Sequence, residues 1–512
     1  MSMSVRIVSF ALLLAAVVAA LVGSARGGQE SGGFSDGVAA GEVTSSSAKL
    51  WTRAPAAGPV TVTVVESAPN RKVLAYTLRA TVGNDLTVQR VVTGLAPATG
   101  YRYTFAQTGA AGASAPGSFR TAPLAASNAR VRFAVSGDAD ATPGQSGKPG
   151  FNNYEVYGRM AAERNDFNIN LGDTIYSDSE LSGSKPALTV PAKWQKYRYG
   201  LALPALRRLR ASAGLYSQPD DHEYINDFSV PEFGKPLYAA GVKAFTDYAP
   251  VSWTPSDGFY RTFRWGKNLE LFVLDERSFR SAKVAKECGN DLAPAAPAPV
   301  RAAFAALIPS LASPVPAGCR EAIDDPARTM LGAKQESTFL RAIRASNATF
   351  KVVVNEVPIQ QFYQLPYDRW EGYEAARIRL LKGLTGVKNV VFLTTDTHAN
   401  LFGEIRLQTL EGPPIGTGIW EAVTGPVATN TYSKEIDSAI GAKGTGDFVT
   451  SLFLKPAPPR GIGMACAATD VFSYSEVVVT DSRLTVTPKT ATGARVAEKT
   501  GAVCAPLVVT AR

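Results

Sequence analysis

The chain has 512 residues, of which 45% are hydrophobic and 19% charged, and its net charge is +9. This composition excludes a disordered or fibrous protein, and the length predicts about two to four structural units instead of one core. The positive charge is not gathered in Lys/Arg runs, so the sequence contains no nucleic-acid-binding motif. It indicates either a basic solvated surface or a weak attraction for phosphate-bearing substrates.

The first 25 residues are typical of a Sec-type signal peptide. Arg6 precedes an apolar run from Ile7 to Val22, and small residues at 23–25 supply a cleavage site. We therefore expect a secreted, periplasmic or cell-surface protein, with no stable membrane insertion after cleavage. The alternative is an uncleaved membrane anchor, because the apolar run is long for a signal peptide.

Residues 34–121 show the alternating pattern of short β-strands. Segments such as VTVTVVE and GYRYTFAQ alternate apolar and polar residues, and Gly, Pro and Asn separate them. The stretch VVTGLAPATGYRYTF resembles the fibronectin type III signature, in which a tyrosine follows a proline-bearing corner. The resemblance implies a β-sandwich, for which we predict a role as a cap or spacer.

From residue 128 to residue 512 the pattern changes to hydrophobic runs separated by helical segments. Six runs predict buried strands of an α/β sheet, and helices are predicted at 154–165 and 335–346. Each run stops at an acid or amide: Asp138, Asp173, Asp221, Asp275, Asn355 and Asp396. Ligands of open α/β sheets bind beyond the carboxyl ends of the strands, so this set predicts a functional site.

The four cysteines lie in the second half of the chain, at Cys288, Cys319, Cys466 and Cys504. An exported protein meets an oxidising compartment, and four cysteines allow three connectivities. We predict the sequential pairs Cys288–Cys319 and Cys466–Cys504. The first pair lies in an Ala- and Pro-rich segment, residues 281–328, which we interpret as an insertion near the site.

The chain contains only two histidines, and both lie beside aspartates after a predicted strand. His222 occurs in QPDDHEYIND and His398 in TTDTHAN. Metal-assisted hydrolysis of a phosphate ester needs oxygen and imidazole ligands, a carboxylate that bridges the cations, and an acid for the leaving oxygen. The sequence offers a candidate for each of these roles.

Four motifs carry a family resemblance: GDTIY at 172–176, DDHE at 220–223, LDERSFR at 274–280 and TDTHAN at 395–400. Their order is similar to that of the PhoD-like alkaline phosphatase/phosphodiesterase family, within the calcineurin-like metallophosphoesterase superfamily. The resemblance implies an α/β protein in which a fibronectin type III-like β-sandwich precedes a four-layer α/β/β/α metallophosphoesterase domain over residues 128–512.

The resemblance also implies the metal ligands. Asp173 would bridge the metals, and Tyr176 would bind a ferric ion through its phenolate. Asp221, Asp396 and His398 would complete the metal shells. Calcium and iron are the cofactors that the family implies.

The first strand departs from the family pattern. The family has an iron-binding cysteine there, whereas SGDADAT places Asp138 at that position, with Asp140 close behind, and we predict both as metal ligands. Oxygen in place of a soft thiolate weakens the preference for iron, so manganese, magnesium or zinc also become candidates.

The remaining candidates surround the predicted metals. His222 is the predicted general acid, or a phosphate contact. Arg277 is predicted to clamp phosphate oxygens and Arg280 to assist it, the alternative being a structural ion pair with Asp275. Asn355 is a candidate weak ligand, although a strand-end turn would explain it equally well. Asn153 is a candidate for the pocket lining, although helix capping would explain it equally well.

These observations predict a secreted metal-dependent phosphatase of the alkaline phosphatase D type that hydrolyses phosphate esters by attack of a metal-activated water. A phosphodiesterase or phospholipase D acting on lipids, teichoic acid or nucleic acid would use the same metal core and remains the first alternative. The second is a non-catalytic, metal-stabilised surface binding protein. We expect the mature chain to be a monomer.

Overall fold

The computed structural model describes residues 33–67 and 73–512, so the predicted signal peptide lies outside the described residues. Within them, 20 strands form sheets of nine, seven and four strands. The strands are β1 (Val38–Gly41), β2 (Ser47–Arg53), β3 (Gly58–Glu66), β4 (Val73–Ala80), β5 (Thr87–Thr93), β6 (Gly100–Gln107), β7 (Gly117–Arg120), β8 (Val131–Ser136), β9 (Phe167–Leu171), β10 (Gly214–Gln218), β11 (Arg261–Trp265), β12 (Leu269–Val273), β13 (Phe350–Val354), β14 (Val390–Thr394), β15 (Asn400–Gln408), β16 (Ile415–Val423), β17 (Cys466–Ala468), β18 (Ser473–Val479), β19 (Arg483–Thr490) and β20 (Leu507–Thr510).

The α-helices of the described residues all follow β8 in the chain. They are α1 (Glu155–Ala162), α2 (Val190–Ala202), α3 (Pro204–Ser212), α4 (Val230–Phe233), α5 (Lys235–Tyr248), α6 (Ala298–Ala305), α7 (Cys319–Ile323), α8 (Gly332–Ala345), α9 (Glu374–Gly383), α10 (Tyr432–Ile440) and α11 (Thr445–Val449). Both predicted helices are confirmed, as α1 and α8, with ends that differ by one to three residues.

The nine-stranded sheet has the order β20-β19-β18-β8-β9-β10-β1-β2-β5. Its centre is parallel, because β9 pairs in parallel with both β8 and β10, and β1 pairs in parallel with β10. Every residue of β9 and β10 is buried, as expected for strands covered on both faces. The carboxyl ends of β8, β9 and β10 therefore lie along one edge.

The seven-stranded sheet, in the order β11-β12-β13-β14-β16-β15-β17, packs face to face against the nine-stranded sheet. Their inner faces form one apolar core that includes Val135 and Ile169 from the first sheet and Leu271 and Val352 from the second. Helices α1, α2, α3 and α5 cover the outside of the first sheet, and α8 and α9 cover the second. The predicted four-layer α/β/β/α architecture is confirmed.

The N-terminal sandwich shares a sheet with the rest of the molecule. Its four-stranded sheet, β4-β3-β6-β7, packs against β1, β2 and β5, which belong to the nine-stranded sheet. The tyrosine of the fibronectin-like signature forms the expected corner, because the Ala96 backbone N–H donates a hydrogen bond to the Tyr101 hydroxyl at 2.8 Å. The sandwich is thus continuous with the nine-stranded sheet, which it joins where β1 pairs with β10.

Both predicted disulfides are present, Cys288–Cys319 and Cys466–Cys504. The first lies in the 281–328 segment, beside a small apolar cluster that also contains Tyr367. The second ties β17 to the chain just before β20. A search of the described residues for membrane-spanning helices found none of sufficient length and apolarity.

Candidate metal centre

Four candidate ligands occupy left-handed turns directly after strands. Asp138, Asp173, Asp396 and His398 have φ values of 59°, 48°, 66° and 53°. Residues other than glycine adopt this backbone conformation at a cost in free energy, and such residues cluster at functional sites. The turns follow β8, β9 and β14, so strands of both sheets present their terminal side chains to one space between them.

Close packing of the backbone brings these turns together. Gly172 has a φ of 80°, and a Cβ atom there would lie 2.5 Å from the Cβ of Asp220. A Cβ on Gly425, which has a φ of 125°, would lie 2.6 Å from Oδ2 of Asp138. Both glycines therefore leave room for an acid of the cluster.

Two groups of potential metal ligands share one carboxylate. The ligand atoms of Asp138, Asp173 and His398 all lie within 4.8 Å of one another, and so do those of Asp173, Asp221 and His222. All five residues are buried. Since Asp173 belongs to both groups, it occupies the position of a carboxylate that bridges two cations.

The donor set suits a metal ion. Oδ2 of Asp138 is fully buried and has no hydrogen-bond partner among the described residues, so it is an acceptor without a donor. Burial raises the pKa of Asp138 to about 7, and burial together with Asp221 raises the pKa of Asp173 well above its usual range. Several buried carboxylates cannot ionise side by side unless positive charge compensates them, and a cation bound by their oxygens would supply it.

Tyr176 completes the first group. Its hydroxyl lies 3.0 Å from Nε2 of His398, and its ring stacks on the ring of His222 with 4.0 Å between centroids. Burial and Asp173 raise the pKa of this phenol well above 10. A phenolate at this position would therefore need a cation.

Each histidine is held by a carboxylate that the sequence analysis missed. Nδ1 of His222 lies 2.7 Å from Oδ1 of Asp178, and Nδ1 of His398 lies 2.6 Å from Oε1 of Glu435. Asp178 is only two residues beyond Tyr176, within SDSE, whereas Glu435 on α10 carries no motif signal. Such partners fix ring orientation and leave the other ring nitrogen for a ligand or a proton.

Both histidines favour the protonated form. Burial lowers the pKa of His222, but Asp221 and Asp178 outweigh burial and raise the pKa to about 9. For His398, Glu435 and Asp138 likewise overcome burial and raise the pKa to about 10. The site without cations is thus a network in which imidazolium groups partly balance the acids.

Arg277 is completely buried among acids. Its Nε donates to Asp220, its Nη1 donates to Asp368 at 2.8 Å, and its Nη2 lies 3.9 Å from one oxygen each of Asp221 and Asp396. Arg277 therefore does form structural ion pairs, as the alternative predicted, but with Asp220 and Asp368 in place of Asp275.

The Asp275 carboxylate instead accepts hydrogen bonds from the backbone N–H groups of Phe259, Arg277 and Ser278. It thereby fixes the turn that follows β12.

A third group joins Asp221 to two acids that were not predicted. Ligand oxygens of Asp221, Asp227 and Asp368 lie within 4.8 Å of one another. Arg280 reaches this group, with its Nη1 3.0 Å from Asp368. Asp368 lies in the loop after β13, where no strand-end pattern marks it.

Three predicted residues have local partners instead. Asp140 accepts hydrogen bonds from the Thr142 N–H and the Ser179 hydroxyl, and it is absent from the close ligand groups of the described chain. Asn153 is exposed and hydrogen-bonds to Glu155 at the start of α1. Asn355 is buried and donates to the Val357 carbonyl, while its Oδ1 has no partner among the described residues.

The paired sheets and the acid-lined space between their strand ends define a candidate metal centre in a four-layer α/β/β/α fold. Family models identify the family: the PhoD-like phosphatase model matches residues 141–451, and the model of its N-terminal domain matches residues 21–123. The chain belongs to the PhoD-like phosphatase family.

Individual relatives agree with this assignment. The chain is 26% identical over 418 residues to alkaline phosphatase D of Bacillus subtilis (strain 168), a match that covers 72% of this chain and 64% of that protein. The solved structure of PhoD covers 93% of the chain, and the chain covers 95% of it, with a TM-score of 0.71 and 20% identity. A purple acid phosphatase from yellow lupin (Lupinus luteus) seeds covers 92% of this chain, with 73% of its own length matched, a TM-score of 0.55 and 11% identity. These structures share the fold.

Proposed function

We propose that the protein is a secreted, metal-dependent phosphatase that hydrolyses phosphate esters. Membership of the PhoD-like phosphatase family supports the reaction class. The observation that carries the metal dependence is the sharing of Asp173 between two close groups of buried ligands. Two disulfides support export, because disulfides persist in oxidising compartments.

The residues that would hold the metals follow from the two groups. Asp138, Asp173, Tyr176 and His398 would hold one cation, and Asp173 and Asp221 would hold the next. The Asp396 backbone N–H donates to Oδ1 of Asp138 at 3.2 Å, which places Asp396 beside the first position. When bound, the metals would neutralise phosphate oxygens and lower the pKa of a water molecule. Aspartate oxygen at position 138 favours calcium, magnesium, manganese or zinc beside iron.

His222 is the proposed general acid. Because its Nδ1 is engaged by Asp178, Nε2 is the atom that would give a proton to the departing alkoxide oxygen. The His222 backbone N–H also donates to Oδ1 of Asp173 at 3.2 Å, which ties the acid to the bridging carboxylate. Asp178 thus orients the ring and keeps it protonated.

Arg277 is proposed to organise the acids. Its Nε donates to Asp220 and its Nη1 donates to Asp368, whereas Nη2 has no hydrogen-bond partner among the described residues. That atom is the one part of the guanidinium that could also reach a phosphate oxygen.

The test is an assay of the purified protein on nitrophenyl phosphate, bis-nitrophenyl phosphate and a phospholipid, combined with elemental analysis. We expect monoester hydrolysis that a chelator abolishes, and a loss of about 10²–10⁴-fold in His222→Ala. Preference for the diester or the lipid would favour the alternative phosphodiesterase or phospholipase function. Hydrolysis that survives both chelation and His222→Ala would overturn the proposal.

A further inference from the structure

A basic cleft lies at the opposite end of the strands from the acidic metal centre. This cleft of about 280 Å³ opens where the sandwich meets residues 128–512, which we call the catalytic part of the chain. The sandwich contributes residues of β6 and β7, and the catalytic part contributes the turns before β9 and β10. Asp166, in the turn before β9, is seven residues from Asp173, and at about 3.3 Å per residue this separation is roughly 20 Å. The cleft is therefore distinct from the metal centre.

Three arginines line this cleft: Arg102, Arg120 and Arg164. All three are exposed, and none of their guanidinium groups forms a hydrogen bond or ion pair with another group in the described part of the chain. Other arginines of the described residues do form ion pairs with acids, such as Arg198 with Asp85 and Arg301 with Asp291. The donors of the cleft arginines are thus available to a ligand.

The strand register places two of the arginines side by side. Arg102 on β6 is opposite Ser118 on β7, and Gly100 is opposite Arg120. Arg102 and Arg120 are therefore diagonal neighbours on one face, where Cα atoms lie about 7–8 Å apart. Both side chains line the cleft from the same face of the sheet, so one anion bound there could contact both.

The surroundings leave the cleft positive. Asp166 is the one acid among its lining residues, and its carboxylate already accepts a hydrogen bond from the Arg132 backbone N–H at 2.8 Å. The carbonyl of Ser212 at the end of α3 faces the cleft, but the Ser118 hydroxyl donates to it at 3.0 Å and so reduces its negative potential. Three guanidinium groups then remain against one carboxylate.

We propose that this cleft binds a phosphate group, carried either by an anionic polymer or by free phosphate. Guanidinium groups match phosphate oxygens with paired hydrogen bonds, and three of them around an open cleft can hold one phosphate or successive phosphates of a chain. The site would hold the protein on a phosphate-rich polymer without occupying the metal centre. It does not depend on the proposed catalytic function, because binding can be measured without hydrolysis.

The test compares two double variants that lose the same charge. Arg102→Gln/Arg120→Gln removes the sandwich side of the cleft, and Arg79→Gln/Arg90→Gln removes two exposed arginines of the sandwich outside it. Binding of the full mature chain to linear polyphosphate and to inorganic phosphate is measured by calorimetry, with hydrolysis of nitrophenyl phosphate as the reference activity. We expect the cleft variant to weaken binding about tenfold and the control to stay within about twofold, with the reference activity of both unchanged.

The two ligands separate the sources of the phosphate. Weakened polyphosphate binding assigns the cleft to a polymer, and weakened binding of inorganic phosphate alone assigns it to the free anion. Arg164→Gln should also weaken binding, because this arginine reaches the cleft from the catalytic part. Equal losses in both double variants would mean unspecific charge attraction, and wild-type affinity in the cleft variant or in Arg164→Gln would likewise overturn the proposal.

Discussion

Three strands of the sandwich, β1, β2 and β5, belong to the same nine-stranded sheet as the central strands of the catalytic part, but the two sets of strands end differently. Sandwich strands end in turns that close hairpins, such as the one that joins β1 to β2. Strands β8 and β9 stop at aspartates in left-handed turns, and β14 does the same in the second sheet. The first kind of ending completes backbone hydrogen bonding, whereas the second presents acids to a common space.

The two regions also differ in the kind of side chain that they bury. The sandwich buries apolar side chains such as Val62 and Phe105 with few buried charges. The catalytic strand ends bury carboxylates, and burial raises their pKa values because it destabilises the charged form. Apolar packing in the shared sheet must therefore compensate for the acid cluster when no cation is bound.

Deletion of residues 34–123 should have the largest effect. It would remove β1 and leave β10 as an unpaired edge next to the strands that carry the site. We expect an aggregated protein without activity, measured by size-exclusion chromatography and nitrophenyl phosphate hydrolysis. A soluble, active 124–512 fragment would show that the sandwich is an independent unit.

Asp173→Asn tests the special status of strand-end acids. Loss of the shared carboxylate should reduce kcat/KM by about 10³-fold, because both metal positions lose a ligand worth several kcal/mol. Asp140→Asn is the matched control, since Asp140 is a nearby buried acid with local partners. Equal losses in the two variants would contradict the assignment of Asp173 as the bridging residue.

Removal of the second disulfide should change stability more than chemistry. Cys466 and Cys504 are 38 residues apart, and closing such a loop stabilises the fold by about 2–4 kcal/mol. Cys466→Ala/Cys504→Ala should lower the denaturant midpoint, with kcat/KM at 25 °C near the wild-type value. A large loss of activity at unchanged stability would mean that this bridge supports the metal centre directly.

Asp178→Asn should give the smallest change, a shift in pH dependence. Asp178 helps to raise the pKa of His222 to about 9, so the acid form is present below that pH and is lost as the pH rises through it. Without the carboxylate this pKa should fall, which moves the alkaline limb of the kcat/KM profile to lower pH. An unmoved limb in Asp178→Asn would indicate that another group controls it.

The sequence predicted the features that local pattern encodes. Hydrophobic runs that stop at an acid or amide identified β8, β9, β10, β12, β13 and β14. The motif order identified the acids and histidines that converge. Partners that arise from tertiary packing were missed. Asp368 and Glu435 lie on a loop and on a helix whose local sequence gives no sign of the site they approach.

The same limit explains two misplaced candidates. Asp140 and Asn153 follow a strand and precede a helix, positions that suit both a ligand and a turn residue. Only the fold shows that Asp140 binds the Ser179 hydroxyl and that Asn153 bonds to Glu155. The pairing of β1 with β10 was equally hidden, because strand register across more than 170 residues leaves no local pattern.

The placement of β18 bears on when the molecule can mature during synthesis. Strand β8, which leads to Asp138, gains its second neighbour only when residues 473–479 pair with it. A nascent chain that has not yet reached β18 therefore holds one ligand on an unfinished sheet, and such distant pairings form late. Cation loading should consequently follow synthesis of β18, at the place where the protein completes its folding.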